Sequence, residues 1–118
     1  MAAKIREING SGVLEDECVV IDIRKDVVNR ILMLGDNRFI SGSHDHGVDG
    51  LTHFFPAERF QAGDVIRLHT KKGLPERKAM ANGNFLYDFF LGLDSAHWSY
   101  LNSGGVVFDF PCSEMINR

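Results

Sequence analysis

The sequence reads as an all-β chain, an antiparallel β-sandwich or small barrel of about seven or eight short strands with at most one short helix. Three observations point there. Turn clusters recur roughly every 8 to 12 residues, the spacing that separates short antiparallel strands. Between them lie β-branched and aromatic runs such as CVVIDI and GGVVFDF, in a chain with 12 glycines and 9 phenylalanines. In VIRLHT, residues 65–70, Ile66 and Leu68 face one way and Arg67 and His69 the other, the period-2 pattern of a half-buried strand.

Taken in order, Lys4 to Ile8 is a short strand ended by the turn cluster Asn9-Gly10-Ser11-Gly12. Glu17 to Ile23 has apolar residues on both faces and suits a strand buried on both sides. After the polar turn Arg24-Lys25-Asp26, Val28 to Leu34 returns and stops at Gly35-Asp36-Asn37, and Arg38 to Ser41 begins another strand. Phe54-Phe55-Pro56 ends a strand, because proline lacks the N–H that a central ladder needs. Ala62-Gly63-Asp64 turns into the strand Val65 to Thr70. Pro75 opens and Gly83 closes a short helix over Pro75 to Asn82, although Leu74 is a poor cap. Phe85 to Leu93 fits either period. Asn102 to Gly105 is a turn, Val106 to Phe110 a late strand stopped by Pro111, and Glu114 to Ile116 a last short one.

A chain of 118 residues makes one domain, 1–118, with room for a single core. Its formal net charge of -3 gives no reason to expect nucleic acid or an anionic membrane as partner. MAAKIREINGSG lacks the apolar core of a secretory signal, and no apolar stretch approaches the roughly 20 residues of a membrane-spanning helix. A cytoplasmic setting is therefore expected. Cys18 and Cys112 fit no metal or redox spacing and read as ordinary thiols; a disulfide between them requires export.

HFFPAERFQAGDVIRLHT, residues 53–70, resembles the "FP … AG-x-V-x-hydrophobic" segment of lamin tail domains. AHWSYLNSGGVVFDF, residues 96–110, resembles that family's Trp–Asn/Gly–strand segment, and DECVVIDI would supply the early strand. The resemblance runs in order over nearly the whole chain and implies an immunoglobulin-like sandwich that acts as an interaction module. It implies that Phe55 and Pro56 end a core strand, Gly63 turns into Val65 to His69, Trp98 is a core aromatic, and Gly104 or Gly105 lies in the closing hairpin. The chain departs from common bacterial members in two places. RILMLGD lacks a Gly-Trp, and Gly104-Gly105 stands where Gly-Asp is usual. No matched position is catalytic in the family.

Chemistry, if present, concentrates in SHDHGVDGLTHFF, residues 43–55, which hold three of the five histidines. Asp49-Gly50 is a two-residue hairpin signal. In that register His44, His46 and His53 share one face; a four-residue loop keeps them together and a three-residue loop does not. Opposed Cβ atoms lie ~4.5–5.5 Å apart, so three imidazoles could converge on a divalent metal such as Zn²⁺ at ~2.1 Å and leave a position for an activated water. The alternatives are a solvated hairpin and a structural or adventitious metal. His44-x-His46 with Asp49 also resembles the first cupin motif, without the later segment of that family.

Three further patterns read as bland. Arg67, Lys71, Lys72, Arg77 and Lys78 are a solvated basic stretch without interleaved aromatics. Asp94, Ser95 and His97 lack the glycine-rich elbow of a nucleophile triad. FLYDFFLGL is core unless Phe85, Tyr87 and Phe89 lie on an outer face, where they would form a self-association patch. The expectation is a non-catalytic module, with no cofactor, that binds a protein partner or a second copy of itself. The competing expectation is a metal-dependent hydrolase or cupin-like enzyme on the three histidines.

Overall fold

The computed structural model describes residues 2–41, 50–56, 59–98 and 104–111. In chain order the elements are β1 (Ala3–Asn9), β2 (Cys18–Ile23), β3 (Arg30–Asp36), α1 (Asn37–Ser41), β4 (Thr52–Phe54), β5 (Val65–His69), β6 (Glu76–Ala79), β7 (Phe85–Phe90) and β8 (Gly105–Pro111). They form two sheets, a five-stranded one in the order β1-β2-β5-β7-β6 and a three-stranded one in the order β4-β3-β8. The fold is all-β and sandwich-like, with one short helix among the described residues.

Alternation places the core. Ile66 and Leu68 on β5 are fully buried, as are Val19 and Ile21 beside them on β2, while Arg67 and His69 point away. Leu32, Leu34 and Val107 close the core from the smaller sheet. Trp98, Phe55 and Phe60 fill the space between from loops and strand ends. Each such side chain contributes about 1.5–3 kcal/mol on burial, which sets the registers more firmly than any turn does. Gly63 adopts φ +97° in the turn before β5, a conformation that strains a side-chain-bearing residue.

Three local expectations are corrected. Arg38 to Ser41 belongs to the helix α1, not to a strand, because the Asp36 carboxylate accepts the Phe39 N–H at 2.8 Å and caps a helical turn. The hairpin expected at Asp49-Gly50 reaches outside the described residues; Gly50 itself lies where a Cβ would collide with the Phe39 backbone. Asp49 is outside the described residues. Pro75 to Asn82 is not a helix: Glu76 to Ala79 is an edge strand, and Gly83 at φ +87° helps turn it back into β7. All four β6 residues are exposed, so its sequence carries no alternation to read. The return strand starts at Arg30 rather than Val28, since Val27 first bridges to Phe60 and Asn29 takes φ 57° as the chain crosses between sheets.

The ambiguous Phe85 segment is a strand. It enters between β5 and β6, antiparallel to β6 and parallel to β5, so the larger sheet is mixed rather than purely antiparallel. Glu114 to Ile116 and Cys112 lie outside the described residues. Cys18 is a buried free thiol.

Candidate functional site

Among the described residues, the charged and histidine side chains that look chemical are largely engaged by the fold. Asp88 interrupts an aromatic strand, and on the outer face of the five-stranded sheet it meets Arg67 and His69. Arg67 donates through Nε at 2.8 Å and Nη2 at 3.0 Å, and His69 Nε2 lies 2.8 Å from the same carboxylate. Burial alone would raise the Asp88 carboxyl, but these hydrogen bonds outweigh it and hold it below the usual carboxylate range. His69 stacks on Phe90, with centroids 4.8 Å apart. Cys18 faces His69 across the β2–β5 ladder, yet burial pushes its thiol up, the reverse of nucleophile activation. This cluster braces the sheet. The signal that could have revealed it is the lone carboxylate in FLYDFF, which a buried strand tolerates only with partners.

Glu17 is a second such hub. Its fully buried carboxylate accepts from Gly12 N, Trp98 N, His97 N and Thr70 Oγ1 at 2.7–3.0 Å, tying three loops to one end of the sandwich. His97 Nε2 lies 2.8 Å from buried Asp36, whereas Asp94 pairs with Lys72 at 3.1 Å. Asp94, Ser95 and His97 are therefore not brought together as a triad. The basic stretch is also matched by partners: Lys71 by Glu15, Lys78 by Glu76, and Arg77 by the Phe85 ring at 4.3 Å.

Of the three histidines, His53 lies on β4 opposite Leu34, half-buried and edge-on to Phe55 at 4.9 Å. Burial lowers its pKa and keeps the ring neutral. His44 and His46 lie outside the described residues. Among the described residues no group of three His, Cys, Asp or Glu side chains could hold a metal ion. Phe85, Tyr87 and Phe89 do not form a surface patch. By register they share the inner face with Ile66 and Leu68; Tyr87 and Phe89 are buried against Phe60 and Phe55, and Phe85 is half-buried.

The apolar surface lies elsewhere. In the smaller sheet Ile31 pairs with Phe110, Met33 with both Phe108 and Phe54, and Gly35 with Val106 and Thr52. Their neighbours Leu32, Leu34 and Val107 face the core, so this second set faces outward. Among the described residues it contains no charged side chain; Met33 at its centre is buried, and the Phe39 ring lies against it beside Gly35. Phe54 is 49% exposed and Phe39 44%. Beside this face, an open groove of about 380 Å³ runs between β1 and β8, lined by Ala3, Lys4, Ile5, Arg24, Gly105, Val106 and Val107. Sequence reasoning did not single out these residues, because alternation in GVVFDFP is read only as a strand until its neighbours are known.

Comparison with protein-family models, with curated proteins and with solved structures returned no match. Among the described residues, no helix is long and apolar enough to cross a membrane.

Proposed function

We propose that this chain is a non-catalytic β-sandwich interaction module, similar in kind to lamin tail domains, that binds a protein partner in the cytoplasm. The carrying observation is the charge-free outer face of the three-stranded sheet. A sandwich normally turns polar residues outward, and a contiguous apolar face rimmed by polar groups marks an interaction surface. The engaged state of Glu17, Asp88 and Asp36 supports the same reading, since each carboxylate serves the fold. The test is peptide display against the full chain, with counter-selection on a Phe54→Lys/Phe108→Lys variant that still melts cooperatively. Enriched peptides should bind the native chain at least about tenfold better (roughly 1.4 kcal/mol) than the variant. Equal binding to both would remove the face from the account.

A metal-dependent hydrolase on His44, His46 and His53 is the second reading. One observation favours it: burial keeps His53 in the neutral form a ligand needs. Near one metal per chain in untagged protein, lost in His46→Ala/His53→Ala, would establish that reading over the first.

A further inference from the structure

We propose that β8 and the groove beside it take an extended acidic segment of a partner protein, which adds as a fourth strand to the smaller sheet. This rests on the interaction-module reading and names the partner's chemistry.

Four strands end the two sheets, and they differ in what protects them. β6 carries Glu76, Arg77 and Lys78 and follows Pro75, the charges and proline that discourage strand addition. β4 has only three residues. β1 has a register shift between Ile5 and Glu7 that interrupts its edge. β8 has seven residues, GVVFDFP, with Pro111 only at its end and Asp109 as its one charge, and that carboxylate is paired with Arg30 of β3. Among the described residues β8 has a ladder only to β3. Along its other edge β1 lies close by, across the groove, without pairing to it, so the β8 N–H and C=O groups on that edge have no strand partner among the described residues.

The register dictates the ligand's pattern. Side chains of a strand added to β8 alternate between the two sides of the sheet. Those on one side continue the outer face formed by Val106, Phe108 and Phe110, so they are apolar. Those on the other enter the groove, which is lined by Ala3, Ile5 and Val107 together with Lys4 and Arg24. Neither cation has an ion pair among the described residues; the acid opposite Lys4 in register, Asp22, is taken by Arg6. Carboxylates at alternate positions would therefore lie near two cations that have no ion pair among the described residues. The volume, about 380 Å³, falls within the ~300–1,000 Å³ typical of ligand sites. Main-chain bonds would supply affinity and the alternate side chains specificity, as in other strand additions.

The test uses the full chain and a fluorescein-labelled nine-residue peptide alternating valine and glutamate, read by anisotropy. The peptide should bind saturably. N-methylation of alternate amides on its pairing edge should weaken binding at least tenfold, and methylation on the opposite edge should not. Lys4→Glu/Arg24→Glu should weaken the glutamate peptide at least tenfold and improve binding of the valine–lysine counterpart. Binding indifferent to N-methylation on either edge would overturn strand addition, and binding indifferent to charge reversal would overturn the acidic ligand. A concentration-dependent dimer that occludes the peptide and is broken by Val106→Glu would overturn the proposal by making a second copy the occupant. If the acidic peptide fails while displayed peptides of other chemistry bind the Phe54/Phe108 face, the inference falls and the interaction-module reading stands. If neither binds, both fall.

Discussion

The outer faces of the two sheets are built on opposite plans. On the five-stranded sheet, Arg67, Asp88 and His69 form a closed polar cluster, and Asp22 pairs with Arg6 nearby. On the three-stranded sheet, the equivalent positions are Ile31, Met33, Phe54, Val106, Phe108 and Phe110. The first face is finished by its own side chains. The second has Thr52 as its one polar side chain among the described residues, and it ends in a strand whose outer edge carries no ladder. Among the described residues, those that suggest chemistry hold the fold together, while those that suggest none form its apolar outer face.

That contrast can be broken at several points. Glu17→Ala should have the largest effect, a loss of about 3–5 kcal/mol, because it orphans four donors at once, two of them buried; urea denaturation measures it. Asp88→Ala should cost less, about 2–3 kcal/mol, since the Arg67 side chain is 36% exposed and water can partly replace the carboxylate. Arg77→Ala on β6 should cost only about 0.5–1 kcal/mol, the worth of an exposed cation–π contact. Phe54→Lys should change stability by no more than about 0.5 kcal/mol, as surface substitutions do, while removing partner binding. Stability lost in step with binding would mean that Phe54 serves the fold, and the two faces would no longer differ in kind.

Acid separates two titrating groups. Asp88 has a lowered pKa in the folded chain, so its contribution is complete above the ordinary carboxylate value and is lost as pH falls through the lowered one. His53 is also lowered, from 6.5, but for a histidine this favours the unfolded chain in acid. Stability should therefore begin to fall below pH 6.5, where the unfolded chain takes up a proton that folded His53 resists. A stability–pH series on His53→Leu should lack that first decline, and one on Asp88→Asn should lack much of the later one.

Much of the sandwich is legible in the residues themselves. CVVIDI, VIRLH and GVVFDF announce β2, β5 and β8 because burial on one or both faces leaves a period in the sequence. β6 and α1 are not legible for the converse reason. Glu76 to Ala79 is exposed throughout and is a strand only because β7 lies beside it, and α1 depends on a cap from Asp36, which also reads as a turn residue. FLYDFFLGL reads as core or, if turned outward, as a self-association patch at Phe85, Tyr87 and Phe89; alternation correctly puts these on one face, but only the position of the second sheet says which face is inside. The apolar surface at Phe54 and Phe108 depends on pairings with Met33 from distant parts of the chain, which no local pattern contains.

Hydrogen exchange by mass spectrometry, with and without saturating valine–glutamate peptide, tests the contrast most directly. Strand addition predicts that amides of Gly105 to Phe110 exchange more slowly in the complex, while those of Glu76 to Ala79, on the charged edge, are unchanged. Slowed exchange at β6, or none at β8 with the peptide demonstrably bound, would contradict it.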